Sequence, residues 1–182
     1  MKIIKTEIEE LLILEPSVFG DSRGYFLESW NKDLLKENDV IFNPVQLNES
    51  GSSYGVIRGL HYQLNPYAQS KLVRVVSGKV LDVAVDLRKE SPTFGKYVSV
   101  ILSSENKKQF LIPKGFAHGF SVLSDFAIFV YMCDEYYNQS SERGISFSDK
   151  FLAIDWMIPE DKQIISQKDL NSPNFYNAEK NF

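Results

Sequence analysis

Cysteine is nearly absent: Cys133 stands alone, which excludes an intrachain disulfide and any metal site built from several thiolates. Histidine is almost as scarce, so imidazole chemistry can come only from His61 and His118. No apolar run is longer than the eight residues Phe126–Cys133, too short to span a bilayer. Basic charge is not in excess. Twenty Lys and Arg face 24 Asp and Glu, a net charge of −4, so no general affinity for nucleic acid or an anionic membrane is expected. No repeat, low-complexity tract or Pro/Gly/Ser linker divides the 182 residues, which read as one domain over 1–182. The opening MKIIKTEIEE carries carboxylates too early for a targeting peptide, and the expected setting is reduced and cytoplasmic.

What the chain does have is aromatic residues, thirteen Phe and nine Tyr, and short runs of strand character. Strands are predicted over Ile3–Glu7, Leu11–Leu14, Gly24–Trp30, Lys71–Val76, Val80–Leu87, Tyr97–Leu102 and Phe126–Cys133. Turn signals separate them at Phe19-Gly20-Asp21, Ser77-Gly78, Ser91-Pro92-Thr93, Ser103-Ser104-Glu105 and Pro113-Lys114-Gly115. Lys71–Val76 and Val80–Leu87 read as a β-hairpin around Ser77-Gly78. One short helix is predicted over Asn31–Asn38, capped by Asn31, and a second in the tail. Many short strands with frequent turns give an all-β class, a β-sandwich or jelly roll. Within the supposed hairpin Leu81, Val83, Val85 and Leu87 form an apolar face, whereas Val80, Asp82, Ala84 and Asp86 form a mixed one. Two readings stay open for the mixed face: it lines a cavity, or it meets water.

Both histidines lie in glycine-punctuated segments. His61 follows Gly55 in a G-x5-H pattern, and His118 closes P-x-G-x-x-H on Pro113 and Gly115. A lone histidine is most often a hydrogen-bonded structural group, but these two segments resemble the paired motifs of cupins. A metal-binding cupin would carry a second His two residues after the first and an acid soon afterwards. Here Gln63 stands at the first of those positions, and no acid follows before Gly78; the polar group in that stretch is Lys71. An amide is a poor transition-metal ligand and an ammonium repels a cation, so no metal or other cofactor is expected. A metal-free barrel with His, Lys and Tyr suits proton abstraction beside a carbonyl: an imidazole base, an ammonium to hold the enolate oxygen, and a phenol to return a proton.

The segments Glu15–Trp30, Gly55–Tyr97, Ile112–Phe120 and Ser166–Asp169, in that order, resemble the dTDP-4-dehydrorhamnose 3,5-epimerases, cupin-fold sugar epimerases of L-rhamnose synthesis. The resemblance implies a cupin-type double-stranded β-helix (jelly roll) with a few short helices. It implies epimerisation at C3 and C5 of dTDP-4-dehydro-6-deoxy-D-glucose through enolates, without a metal. His61 would be the base, Tyr131 the acid, Lys71 the enolate stabiliser, and Asp169 the carboxylate that orients His61. Gln46, Asn48, Arg58, His118, Glu142 and Lys168 would line the sugar and diphosphate pocket, and Tyr137 would stack on thymine. Arg23, Phe26 and Glu28 would complete the partner's site in a homodimer that shares the segment 1–30. Taken alone, Tyr131 reads as a core aromatic and Lys71 as a solvated strand-edge charge.

Two departures stand out: Leu47, where the family often has Asp, and Met132-Cys133 after Tyr131, where Lys-Thr is more usual. Both bear on which sugar fits. Two alternatives follow, an epimerase acting at C3 or C5 only and a non-catalytic nucleotide-sugar-binding cupin. The retained Tyr131 argues against a ketoisomerase, and the full acid–base set argues against binding alone.

Overall fold

Period-two alternation with apolar residues on both faces requires a sheet that is covered on both sides, and the fold supplies two such sheets. The structure, a computed structural model, describes residues 1–182. The first sheet orders its strands β1 (Lys2–Lys5), β2 (Leu12–Glu15), β10 (Gln109–Ile112), β7 (Lys71–Ser77), β12 (Phe126–Cys133) and β5 (Gln46–Ser53). The second runs β13 (Glu142–Gly144), β6 (Val56–Gln63), β11 (Phe116–Val122), β8 (Lys79–Asp86) and β9 (Tyr97–Ser103), with β14 (Ile164–Ile165) added parallel to β6. A separate two-stranded ribbon pairs β3 (Val18–Asp21) with β4 (Gly24–Leu27). This is the expected jelly roll. The two predicted helices are α1 (Lys32–Lys36), whose cap Asn31 accepts from the Asp33 and Leu34 amides at 3.0 and 3.2 Å, and α2 (Gln167–Leu170), capped by Ser166. No helix is long and apolar enough to cross a membrane.

Three apolar layers hold the sheets. Val73, Val75, Val80, Ala84, Phe110, Phe120 and Phe129 fill the space between them, where Phe120 stacks on Phe129 at 4.2 Å between ring centroids. Burying one such side chain contributes about 1.5–3 kcal/mol. Leu14, Leu35, Phe42, Leu72 and Leu111 seal the outer face of the first sheet under the α1 segment. The outer face of the second sheet, with Leu81, Val83, Val85 and Leu87, lies under the C-terminal segment through Ile145, Leu152, Trp156, Phe175 and Ala178. The mixed face of β8 is therefore the interior one. Asp82 and Asp86 are both fully buried.

The predicted hairpin is corrected by the structure. β7 pairs with β10 and β12, β8 pairs with β11 and β9, and the Ser77-Gly78 link crosses from one sheet to the other. Gly78 makes the crossing at φ +79°, where a Cβ would lie 2.1 Å from the Phe126 carbonyl oxygen. The ribbon turn also falls two residues later than expected, at Ser22-Arg23, because Phe19, Gly20 and Asp21 belong to β3.

Candidate active site

The register of three neighbouring strands builds one wall of a cavity of about 350 Å³ between the sheets. Gln46, Cys133 and Lys71 form one row across β5, β12 and β7, and Asn48, Tyr131 and Val73 form the next. Alternation along β12 turns Phe129, Tyr131 and Cys133 inward, and Lys71 shares its face with Val73 and Val75. The ammonium of Lys71 thus lies in the row beside the Tyr131 phenol. Neither makes a hydrogen bond or ion pair within the chain, so both are free to meet a ligand.

The opposite wall comes from β6, and a bulge decides its chemistry. His118 pairs with His61 and Phe120 with Arg58, so three steps on β6 oppose two on β11. The extra residue reverses the alternation: Val56 and Arg58 point inward before it, His61 and Gln63 after it. Gly59 permits the close approach, for a Cβ there would sit 2.6 Å from the Gly119 Cα. Behind His61, β14 and α2 bring Asp169 onto β6, and His61 Nε2 lies 2.6 Å from Asp169 Oδ1. Burial raises the Asp169 carboxyl pKa, but the His61 hydrogen bond and charge, the Gly59 amide and Ser166 outweigh it, and the net shift is downward. The Nε2–H of His61 is thereby directed to the carboxylate, which leaves Nδ1 as the basic nitrogen.

Burial drives the Lys71 pKa down, opposed by Cys133, Asp82 and Glu142. Burial likewise raises that of Tyr131, with Cys133 and Glu142 adding to the rise and Arg58 opposing it. At neutral pH the phenol therefore keeps its proton. At the cavity mouth Glu142 accepts from the Tyr137 hydroxyl at 2.9 Å and pairs with Lys168 at 2.6 Å. Gln46 accepts the Tyr137 amide at 3.0 Å and donates to Asn48 at 2.9 Å.

His61, Lys71, Tyr131, Gln46, Asn48, Tyr137 and Glu142 thus line one cavity, with Asp169 directly behind His61 and Lys168 at the rim. Arg58 stands beside the cavity, exposed, its Nε 3.1 Å from Ser52 Oγ. His118 differs from its expected position in the wall. Its ring lies beneath the floor, where Nε2 is 2.9 and 3.0 Å from the two Asp82 oxygens and the ring faces Phe129 at 6.0 Å. Arg23, Phe26 and Glu28 do not reach this cavity from their own chain: Arg23 pairs with Asp21, and Glu28 accepts from Asn31. Gln63 and Gln69 also line the cavity, unassigned to it from the sequence, and so does Cys133, which with Met132 was expected to bear on which sugar fits. The alternation that turns Tyr131 inward was the signal for Cys133. At the metal-cupin position, Gln63 is occupied by backbone groups, and no cluster of three His, Cys, Asp or Glu is arranged to share an ion.

The family model described as dTDP-4-dehydrorhamnose 3,5-epimerase matches residues 5–177. The enzyme of that name from Shigella flexneri is 56% identical over 182 residues, covering 98% of each chain. The crystal structure of the Elizabethkingia anophelis enzyme superposes with a TM-score of 0.93 at 51% identity, covering 97% of both chains. The dTDP-6-deoxy-D-glucose-3,5-epimerase of Legionella pneumophila, in complex with dTDP-4-keto-L-rhamnose, gives 0.93 at 50% identity, covering 97% of this chain and 93% of that one.

Proposed function

We propose, from the premise that this chain belongs to the dTDP-4-dehydrorhamnose 3,5-epimerase family, that it inverts C5 and C3 of dTDP-4-dehydro-6-deoxy-D-glucose to give dTDP-4-dehydro-L-rhamnose. At each carbon, His61 Nδ1 takes the proton alpha to the C4 ketone, and the electron pair moves onto the carbonyl oxygen. The Lys71 ammonium stabilises that enolate. Tyr131 then delivers a proton from the opposite face, the ketone re-forms, and exchange with water returns the phenolate and imidazolium to their starting states. Asp169 holds the imidazole in the required tautomer and stabilises its cation. No redox change occurs, so the chain's own acid and base groups suffice.

The observation that carries this reading is that a carboxylate-backed imidazole, an unpaired ammonium and an unpaired phenol share one cavity. Gln46, Asn48, Arg58, Glu142 and Lys168 surround the sugar and diphosphate, His118 supports the floor beneath them, and Tyr137 stacks on the base. The chain works as a homodimer in which Arg23, Phe26 and Glu28 complete the partner's site. Support comes from the β3–β4 ribbon, which pairs only with itself and leaves Phe19 and Phe26 65% and 68% exposed. Such a ribbon is marginal in water unless another surface covers it. One domain in a reduced cytoplasm completes the reading.

Incubation with the keto-sugar in deuterated water tests it. Deuterium at both C3 and C5, with the inverted product, is the expected result. Label at one carbon identifies a single-site epimerase, and no label at either rejects epimerisation.

A further inference from the structure

Gln63 ends β6 two residues beyond His61 and faces the cavity, yet the proton transfers give it no task. Its buried amide is fully engaged. Nε2 donates to the Tyr67 carbonyl at 2.6 Å and to the Tyr136 carbonyl at 3.1 Å, while Oε1 accepts the Asn138 amide at 2.7 Å. These backbone groups belong to two different loops, 64–70 and 134–141, which lie side by side at the cavity. Two of the three bonds fall on the residues immediately before and after Tyr137. That residue is 54% exposed, yet its amide is held by Gln46 and its hydroxyl by Glu142. An exposed aromatic ring whose backbone is clamped on both flanks is a platform already ordered before anything stacks on it. Ordering a contact surface beforehand removes an entropic cost from binding.

We propose that Gln63 is a positioning residue for nucleotide recognition: it ties the two mouth loops together and fixes Tyr137 as a stacking platform, acting on substrate affinity and not on proton transfer. This rests on the reading that the base lies on Tyr137. It also gives a physical reason for an amide where a metal-binding relative would carry a ligand. Only a side chain with two donors and an acceptor meets two carbonyls and one N–H at once.

The test compares wild type, Gln63→Leu, Gln63→Glu, Tyr137→Ala and the Gln63→Leu/Tyr137→Ala double variant. The readouts are dTDP affinity by titration calorimetry and kcat and KM with the dTDP-keto-sugar. Gln63→Leu is expected to weaken dTDP binding about tenfold and raise KM by the same factor, with kcat changed less than about threefold. Gln63→Glu keeps the acceptor for Asn138 but sets a carboxylate oxygen against the Tyr67 and Tyr136 carbonyls, and is expected to weaken dTDP binding at least as much. In the Tyr137→Ala background, Gln63→Leu is expected to change dTDP affinity by less than about twofold, because the platform is already gone. Affinity within about twofold of wild type in folded Gln63→Leu overturns the proposal, as does a loss confined to kcat or a full tenfold loss in the double variant. Should Gln63→Leu not fold, Gln63→Glu is held to the same criteria. A wild-type protein that neither binds dTDP nor turns over the keto-sugar refutes the functional reading itself, and this proposal with it.

Discussion

Two histidine–aspartate pairs sit on neighbouring strands, His61 directly opposite His118, and they have become different things. In each, Nε2 meets a buried carboxylate, at 2.6 Å for His61 and 2.9 Å for His118. The His61 side chain is 30% exposed to the cavity, whereas that of His118 is 8% exposed and packs on Phe129. Their carboxylates move in opposite directions. Asp169 ends below its ordinary range because its donors overcome burial, while burial raises Asp82 despite the pull of His118 and Lys71. The first keeps its carboxylate ionised and its imidazole open to the cavity, which suits a base that must gain and lose a proton. The second is sealed and braces the floor under Lys71. Identical side chains acquire different roles through access and solvation, not through type.

Substitutions sharpen the contrast. His61→Ala is expected to lower kcat about 10³-fold and to cost less stability than His118→Ala, because the Gly59 amide and Ser166 still hold the Asp169 carboxylate. His118→Ala leaves a buried carboxylate without its partner and is expected to cost about 3 kcal/mol of stability, with the smaller loss in kcat. Thermal melts beside steady-state rates separate the two outcomes, and equal kinetic losses would erase the distinction drawn here. Asp169→Asn is expected to act more gently, lowering kcat about 10²-fold by upsetting the tautomer of His61. It also changes the acid limb of stability. The depressed Asp169 pKa contributes stability that is present above the ordinary aspartate range and lost as pH falls through the folded-state value. Wild type should therefore lose more Tm between pH 7 and pH 3 than Asp169→Asn does, and parallel curves would show that the carboxylate is not stabilised by its neighbours.

The same contrast separates what the sequence made legible from what it concealed. The inward face of β12 and the helix cap at Asn31 follow from alternation and capping chemistry, and both are present. β5 was unreadable because Gln46–Ser53 is a polar run that becomes a strand only by pairing with β12. The supposed hairpin failed because apolar runs on either side of a Gly fit a sheet-to-sheet crossing as well as a tight turn; only the partners of β7 and β8 distinguish them. The parity of β6 was hidden for a related reason. A bulge leaves no mark on composition, and without it His61 and Arg58, three residues apart, would point to opposite faces. The roles of His61, Lys71, Tyr131 and Asp169 emerged from family resemblance, since their proximity depends on three strands and a short helix that meet only in the fold, with His61 and Asp169 separated by 108 positions. Asp82 was noticed as a charge on a mixed face, but its partner was not, because β8 and β11 meet only in the folded sheet.

Tyr131→Phe in deuterated water tests the division of labour between base and acid most directly. With His61 intact and the phenolic proton gone, the recovered keto-sugar should take up deuterium at the acidic carbons while inverted product falls about 10²-fold or more. Undiminished inversion in this variant, or the disappearance of exchange together with inversion, would contradict an imidazole and a phenol working on opposite faces of one carbon.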